Sequence, residues 1–247
     1  MKRKLETERF SETSDMYPWV RFEHYERYDF VSRLVAGKDV VDCACGAGIG
    51  TSLFVRNGAK SVIGIDVDDG ALEEAKSRHQ APNLRFLKGD GRHLPLPSSS
   101  CDLFISLETI EHVENDAGFL DEIHRVLKPG GRFICSTPNR EVANPGTSIA
   151  DKPWNQFHVR EYTLPEFSSL LGKRFDELEF YGQNPVSRSR IGLMSRIARL
   201  TWPMLAVRLN QLLKCRWFLH DSSKNHRVAP DDEKSLFEYL IICCRRP

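Results

Sequence analysis

The run Val40-Val41-Asp42-Cys43-Ala44-Cys45-Gly46-Ala47-Gly48-Ile49-Gly50 constrains this chain more than any other stretch. A short apolar segment reaches a carboxylate, breaks into glycines, and continues from Thr51 to Arg56 in a helix-like pattern. Such a run reads as a strand, a tight turn and a helix N-terminus. The glycines let the backbone turn and approach a ligand closely without a Cβ clash. Asp66 lies twenty residues after Gly46 and closes a second apolar run, Val62-Ile63-Gly64-Ile65. A carboxylate at that place accepts hydrogen bonds from both hydroxyls of a ribose.

Two ligand classes use this layout, dinucleotides and S-adenosylmethionine. The dinucleotide fingerprint spaces its glycines to seat a pyrophosphate on the helix N-terminus. Here the glycines run Gly46-x-Gly48-x-Gly50, and Thr51 stands where the third fingerprint glycine belongs. Asp42, just before the turn, would repel a pyrophosphate but suits the ammonium of a methionine moiety. S-adenosylmethionine is therefore the expected cofactor.

Apolar runs and helical patterns alternate through the first 140 residues. The expected helices are 23–34, 48–57 (closed by Gly58), 69–78, 116–127 and one starting at Leu164, and the expected strands are 40–44, 62–67, 84–87, 102–107 and 132–137. Alternation of this kind builds a doubly wound, mainly parallel α/β sheet with its ligand outside the strand C-termini. Asp42, Asp66, Asp90 and Glu108 all fall at those ends, which packing alone does not explain. In the first helix Phe22, Tyr25, Phe30, Val31 and Leu34 occupy the apolar positions. His24 and Arg27 fall either on a solvated face or on a lid over the cofactor. At 247 residues the chain suits one such domain with additions, and its net charge of +1 projects no global field toward nucleic acid. Seven cysteines, several of them in expected strands, act as small hydrophobes, and their odd number fits a reducing, cytoplasmic setting. The charged N-terminus lacks a signal-peptide core, and no apolar run reaches membrane-spanning length.

Residues 40 to 140 resemble a class I S-adenosylmethionine-dependent methyltransferase. The stretches that carry the likeness are Asp42-Cys-Ala-Cys-Gly-Ala-Gly48, Gly64-Ile-Asp66, Gly89-Asp90-Gly91 with Leu94-Pro-Leu-Pro97, Leu107-Glu-Thr-Ile-Glu-His-Val113, and Val126-Leu-Lys-Pro-Gly-Gly131. Ala44 departs from the family's usual glycine, with a slight shift of the turn as the expected consequence. The resemblance implies a seven-stranded, Rossmann-like methyltransferase fold with an N-terminal helical lid. It adds a sixth strand over 177–181 and an antiparallel seventh over 239–244. It also implies that Asp66 holds the ribose, Asp90 the adenine amino group, and the turn with Asp42, Ala44, Gly46 and Gly48 the methionine end. Arg27, Val67, Gly91, Leu107 and Glu108 complete the implied cofactor set.

Glu108-Thr-Ile-Glu111-His112 carries the next signal. On one helical turn, residues i, i+3 and i+4 face the same way, so two carboxylates and an imidazole converge beside the methyl donor. Mixed oxygen and nitrogen ligands suit Mg²⁺, Mn²⁺, Fe²⁺ or Zn²⁺. His158, in Phe157-His-Val-Arg-Glu-Tyr162, is the best-placed fourth ligand. The pattern is similar to the small-RNA 2′-O-methyltransferases and to the O-methyltransferases of ubiquinone biosynthesis. That likeness implies a metal on Glu108, Glu111, His112 and His158, holding two adjacent oxygens of the acceptor. Many class I relatives carry Glu-His-Val here without a metal. For these the alternative is a metal-free N- or O-methyltransferase with His112 or His158 as base.

Residues 138–160 read as an irregular loop over the cofactor face, where Trp154, Phe157 and Arg160 are candidates to stack on a ring or grip an anion. Phe157-His-Val-Arg-Glu-Tyr-Thr, His24-Tyr-Glu-Arg-Tyr28 and Gly182-Gln183 resemble bacterial methyltransferases of cell-surface sugar and natural-product pathways. A small-molecule or glycan hydroxyl is accordingly the expected acceptor, with no specific nucleic-acid partner. Residues 186–220 are basic and read as two amphipathic helices broken at Pro203. They stand as a cap or oligomer contact, as an interfacial segment meeting anionic lipid or a lipid-linked substrate, or as a contact for a phosphorylated ligand. The domain plan is a lid and core over 1–185, a helical insertion over 186–234 and a final core strand over 235–247. A non-catalytic reading also stands: a cofactor-binding scaffold recruited to a partner or membrane.

Overall fold

The computed structural model describes residues 18–186, 228–230 and 236–247. The chain opens with α1 (Pro18–Ser32), then β1 (Asp39–Cys43), α2 (Ile49–Arg56), β2 (Ser61–Asp66), α3 (Asp69–Arg78), β3 (Leu84–Lys88) and β4 (Cys101–Leu107). A 3₁₀ turn (Ile110–His112) precedes α4 (Asp116–Val126), β5 (Leu127–Pro138), α5 (Arg140–Ala143) and α6 (Leu164–Leu171). β6 (Asp176–Val186), β7 (Ala229–Pro230) and β8 (Leu236–Arg245) complete the described elements.

The strands form one sheet in the order β3-β2-β1-β4-β5-β8-β6-β7. β1 lies parallel between β2 and β4, and β3 and β5 extend the parallel run. β8 enters antiparallel between β5 and β6. The expected seven strands are present, and the two-residue β7 adds an eighth at the edge of β6. The sixth and last strands outrun their expected limits because they pair with each other along their length, from Asp176↔Arg245 to Val186↔Leu236. The order reverses between β1 and β4, and such a switch point opens a crevice at the strand C-termini.

Both faces of the sheet are covered. Val41 and Cys43 of β1 and Phe104 of β4 join Phe119, Leu120 and Ile123 of α4 and Phe167 and Leu171 of α6. On the opposite face Val40, Leu103 and Ile105 meet Tyr28 and Val31 of α1 and Phe54 of α2. Alternation along buried parallel strands thus feeds two apolar layers. Helix starts follow their caps: Asp68 accepts from the Ala71 N–H at 2.7 Å, and Thr163 with Glu166 forms a capping box on α6.

α1 reverses one expectation. Phe22 and Tyr25 are exposed (47% and 37%), while Glu23 and Arg27 are 1% exposed. The inward face of its first two turns is polar because it meets polar groups on β6 and β8 rather than the apolar layer. Among the described residues no helix is long and apolar enough to cross a membrane. The basic segment expected over 186–220 lies, beyond Val186, outside the described residues, as does most of the insertion expected over 186–234.

Candidate functional site

The turn after β1 holds three residues at positive φ: Ala44 (63°), Gly46 (53°) and Gly48 (76°). An L-residue pays about 1–2 kcal/mol for that conformation. This is the physical reason a glycine is usual where Ala44 stands. The turn is tied to β2, since Cys45 N–H donates to Ile65 O at 3.0 Å and Gly46 N–H to Asp66 Oδ2 at 2.9 Å. Asp66 Oδ1 accepts from Asp68 N–H at 3.0 Å. A carboxylate has about four accepting positions, so each Asp66 oxygen keeps capacity for a ligand hydroxyl. Val67, immediately after it, is 57% exposed despite its apolar side chain.

Asp42 is buried under the start of α2 and accepts from Thr51 Oγ1 at 2.6 Å. Burial, with Asp66 nearby, pushes its carboxyl up to about 7 against the pull of the Thr51 hydrogen bond. Asp90 is more exposed and forms a bidentate pair with Arg92, whose Nη2 is 2.6 Å away. That pairing brings it down to about 2. Both of its oxygens accept from the Arg92 guanidinium. Gly91 lies against α4, where a Cβ would come within 2.5 Å of the Phe119 ring. Leu107 is buried at the end of β4.

α1 brings Arg27 to this edge. Its Nη1 donates to Gln183, its guanidinium sits 4.4 Å from the centroid of the Tyr239 ring, and Glu108 and Glu23 lend it negative field. Nε and Nη2 are buried without a hydrogen-bond partner among the described residues. Orphaned guanidinium donors are costly and mark a place for an anionic group. The residue ranks with the fully buried side chains, so the solvated-face reading of Arg27 does not hold.

Glu111, His112 and His158 each offer one ligand atom within 4.8 Å of the others. The 3₁₀ turn supplies the first two, and the loop after α5 the third. The backbone staples them together, with Val159 N–H donating to Glu111 O at 2.8 Å. Glu111 is buried and accepts from Thr137 Oγ1 at 2.9 Å. Burial and neighbouring Glu108 push its carboxyl up to about 8, against the opposing pull of His158. The imidazoles meet edge to face at 4.9 Å between centroids. His112 Nδ1 lies 2.9 Å from Phe157 O, and His158 Nδ1 lies 2.6 Å from Glu161 Oε1. Two imidazoles and a carboxylate, with ring nitrogens anchored to a carbonyl and a carboxylate, form a donor set that could hold a divalent metal.

Glu108 does not join this cluster, contrary to the four-ligand expectation. It stands at φ 51°, its N–H donates to Ser136 O, and its Oε1 accepts from Ser136 Oγ at 2.6 Å. Glu108 lies ahead of the 3₁₀ turn, and its left-handed backbone with the non-helical Thr109 takes it out of the helical register that would set i and i+3 on one face. Arg160 is also reassigned. It pairs with Asp116 at the start of α4, which accepts from Tyr162 Oη at 2.8 Å as well. It ties the loop to that helix. Trp154 and Phe157 are half-buried along the same loop, with Trp154 N–H donating to Asn144 Oδ1 at 2.7 Å. Sequence reasoning missed Glu161, Asn144 and Thr137, each fully buried around the triad. Glu161 sits three residues from His158, a spacing that could have flagged it.

The methyltransferase domain family matches residues 41–135. The chain is 37% identical over 161 residues to a protein of Mycolicibacterium smegmatis named as a probable S-adenosylmethionine-dependent methyltransferase, covering 65% of this chain and 60% of that one. A phthiotriol/phenolphthiotriol dimycocerosates methyltransferase of Mycobacterium tuberculosis is 33% identical over 130 residues, covering 51% and 48%. The chain thus spans between about half and three fifths of the length of these curated relatives. Among solved structures, a Mesorhizobium loti S-adenosylmethionine-dependent methyltransferase superposes with a TM-score of 0.59 at 21% identity, covering 91% of this chain and 98% of that one. The [4+2]-cyclase SpnF superposes at 0.63 and 20% identity, covering 96% and 86%. These likenesses concern the fold; chemistry has to be argued from the site.

Proposed function

We propose that this chain, whose residues 41–135 match the methyltransferase domain family, is a class I S-adenosylmethionine-dependent O-methyltransferase acting with a divalent metal on a hydroxyl of a sugar, glycan or related metabolite. The observation that carries the proposal is the Glu111–His112–His158 cluster, placed just beyond the C-terminus of β4 at the cofactor edge. The relative named for phthiotriol and phenolphthiotriol dimycocerosates extends the acceptor class to hydroxyls borne on lipids.

The residues at the edge fit the cofactor. Asp66 has accepting capacity for a ribose, Val67 offers apolar surface beside it, and the Ala44–Gly48 turn leaves room for the methionine end. Arg27 supplies two unsatisfied donors for its carboxylate. When bound, S-adenosylmethionine supplies an electrophilic methyl on a sulfonium. The protein must then align the acceptor oxygen, exclude water and take up a proton. Trp154 and Phe157 are proposed to flank the acceptor. A divalent ion on Glu111, His112 and His158 would lower the pKa of a bound hydroxyl. Thr137, hydrogen-bonded to Glu111, holds that carboxylate in place.

A second reading has its own support. His158 rests on the buried Glu161 carboxylate, the arrangement of an oriented general base. Methyl transfer from labelled S-adenosylmethionine to a panel of sugars, glycans and hydroxylated lipids, with and without chelator, separates the two. Metal assistance predicts that chelation and Glu111→Gln each lower kcat by about 100-fold, the scale of losing one transition-state stabiliser. Turnover that survives both leaves the histidine base. No transfer to any hydroxyl removes the O-methyltransferase proposal.

A further inference from the structure

The hydrogen bonds around the paired histidines fix more than their positions. Phe157 O can only accept, so the contact at 2.9 Å requires the proton on His112 Nδ1. The Glu161 carboxylate likewise accepts, at 2.6 Å, from His158 Nδ1. On its other side, His158 Nε2 lies 2.9 Å from Asn155 Nδ2. Asn155 has its amide orientation set by Phe157 N–H, which donates to Oδ1 at 3.1 Å, so its NH₂ group faces the ring. An amide donor there leaves no place for a proton on Nε2. Both sides of the His158 ring therefore specify one form.

Glu161 is held by a third amide. Asn144 Oδ1 accepts from Trp154 N–H at 2.7 Å, which turns its NH₂ toward Glu161 Oε2. Glu161 is 2% exposed and has donors against both oxygens. We infer that Glu161, held by Asn144, is the positioning residue that locks His158 in the Nδ1–H tautomer, so that Nε2 is the accepting nitrogen: its lone pair takes the Asn155 NH₂ in this structure and is the one a metal or an acceptor hydroxyl would take over from that amide. The inference rests on the proposed reading only in treating that nitrogen as the place of chemistry. It serves a metal ligand and a general base alike, because both need the same lone pair.

Glu161→Gln tests it without a change of size. Glutamine has one accepting oxygen for two donors. With the Asn144 NH₂ fixed, the oxygen turns to Asn144 and the new NH₂ donates to His158 Nδ1, forcing the proton onto Nε2. Long-range ¹H–¹⁵N correlation spectra of the full chain at about pH 8, where imidazoles are neutral, report the tautomer directly. The expected result is Nδ1–H for His112 and His158 in the wild type. In Glu161→Gln, His158 shifts toward Nε2–H while His112 stays unchanged as the internal control. Cobalt(II) binding, read by its visible spectrum, is expected to weaken by about 10- to 100-fold in the variant, while S-adenosylmethionine affinity is unchanged. A wild-type His158 carrying its proton on Nε2 overturns the inference even if the variant fails to fold. An unchanged His158 signal in a folded variant overturns it too. A wild type that binds no cobalt but shows the Nδ1–H signal supports the lock and removes the metal reading instead.

Discussion

At the scale of single residues, Asp42 sets a pH dependence that its position makes unavoidable. Its carboxyl is raised to about 7 in the folded chain, from a reference of 3.8. The folded state therefore holds the proton more tightly than the unfolded one. The associated stability is fully present below the unfolded value and is lost as pH rises through about 7. Asp42→Asn keeps an acceptor for Thr51 but removes the titration. Urea unfolding of the ligand-free protein at about pH 5 and about pH 8.5 should show the wild type losing on the order of a few kcal/mol more than the variant. Parallel behaviour of the two proteins would refute the assignment. Asp42 was legible in the sequence as an acid beside the cofactor turn. Its burial against Thr51 was not, because that depends on how α2 lies over β1. Glu108 shows the converse: the sequence placed it in one helical turn with Glu111, and the left-handed backbone at Glu108 sends its side chain to Ser136 instead.

At the scale of elements, the third glycine of the turn motif has a structural reason. Gly50 lies in α2, and a Cβ there would come within 1.9 Å of the Tyr28 ring of α1. Tyr28 packs on Phe54 at 5.8 Å, so the absence of a side chain at Gly50 is what lets α1 rest on α2. Gly50→Ala gains helix propensity, at most about 1 kcal/mol, but must displace a buried ring at about 1–3 kcal/mol. The expected outcome is net destabilisation, faster amide exchange confined to α1, and weaker S-adenosylmethionine binding through displaced Arg27. Exchange in α1 equal to wild type would contradict this account. The strands and most helices were readable because hydrophobic alternation and caps act locally. α1 was misread on one face because its partners, Gln183, Asn184 and Tyr239, arrive from more than 150 residues away. Asn144 and Glu161, 17 residues apart, were hidden for another reason: they flank an irregular stretch, where no periodicity announces a buried polar shell.

For the whole molecule, ligand and fold are linked through the orphaned and crowded charges at the strand ends. Arg27 holds unsatisfied donors among the described residues, and Asp42 is buried, accepting from the Thr51 hydroxyl. A ligand that binds only the folded chain stabilises it by about 2.7 kcal/mol at one hundred times its dissociation constant. In a chain of this size that corresponds to roughly 5–10 °C in the melting midpoint. Differential scanning fluorimetry with S-adenosylmethionine should show that rise, and Asp66→Ala, which also strips the Gly46 and Asp68 N–H groups of their acceptor, should abolish most of it when measured from the variant's own, lower ligand-free midpoint. A midpoint insensitive to the cofactor would contradict the cradle.

The pairing Val186↔Leu236 has a consequence of its own. Because β6 runs parallel to β5, Val186 emerges on the same rim as Asp66 and Glu108, and the chain re-enters the sheet directly opposite it. The two ends of the stretch between those residues therefore lie side by side on the rim that carries the candidate site. Because only Ala229–Pro230 of that stretch pair with the sheet among the described residues, its length elsewhere can vary without disturbing the register of β6 against β8.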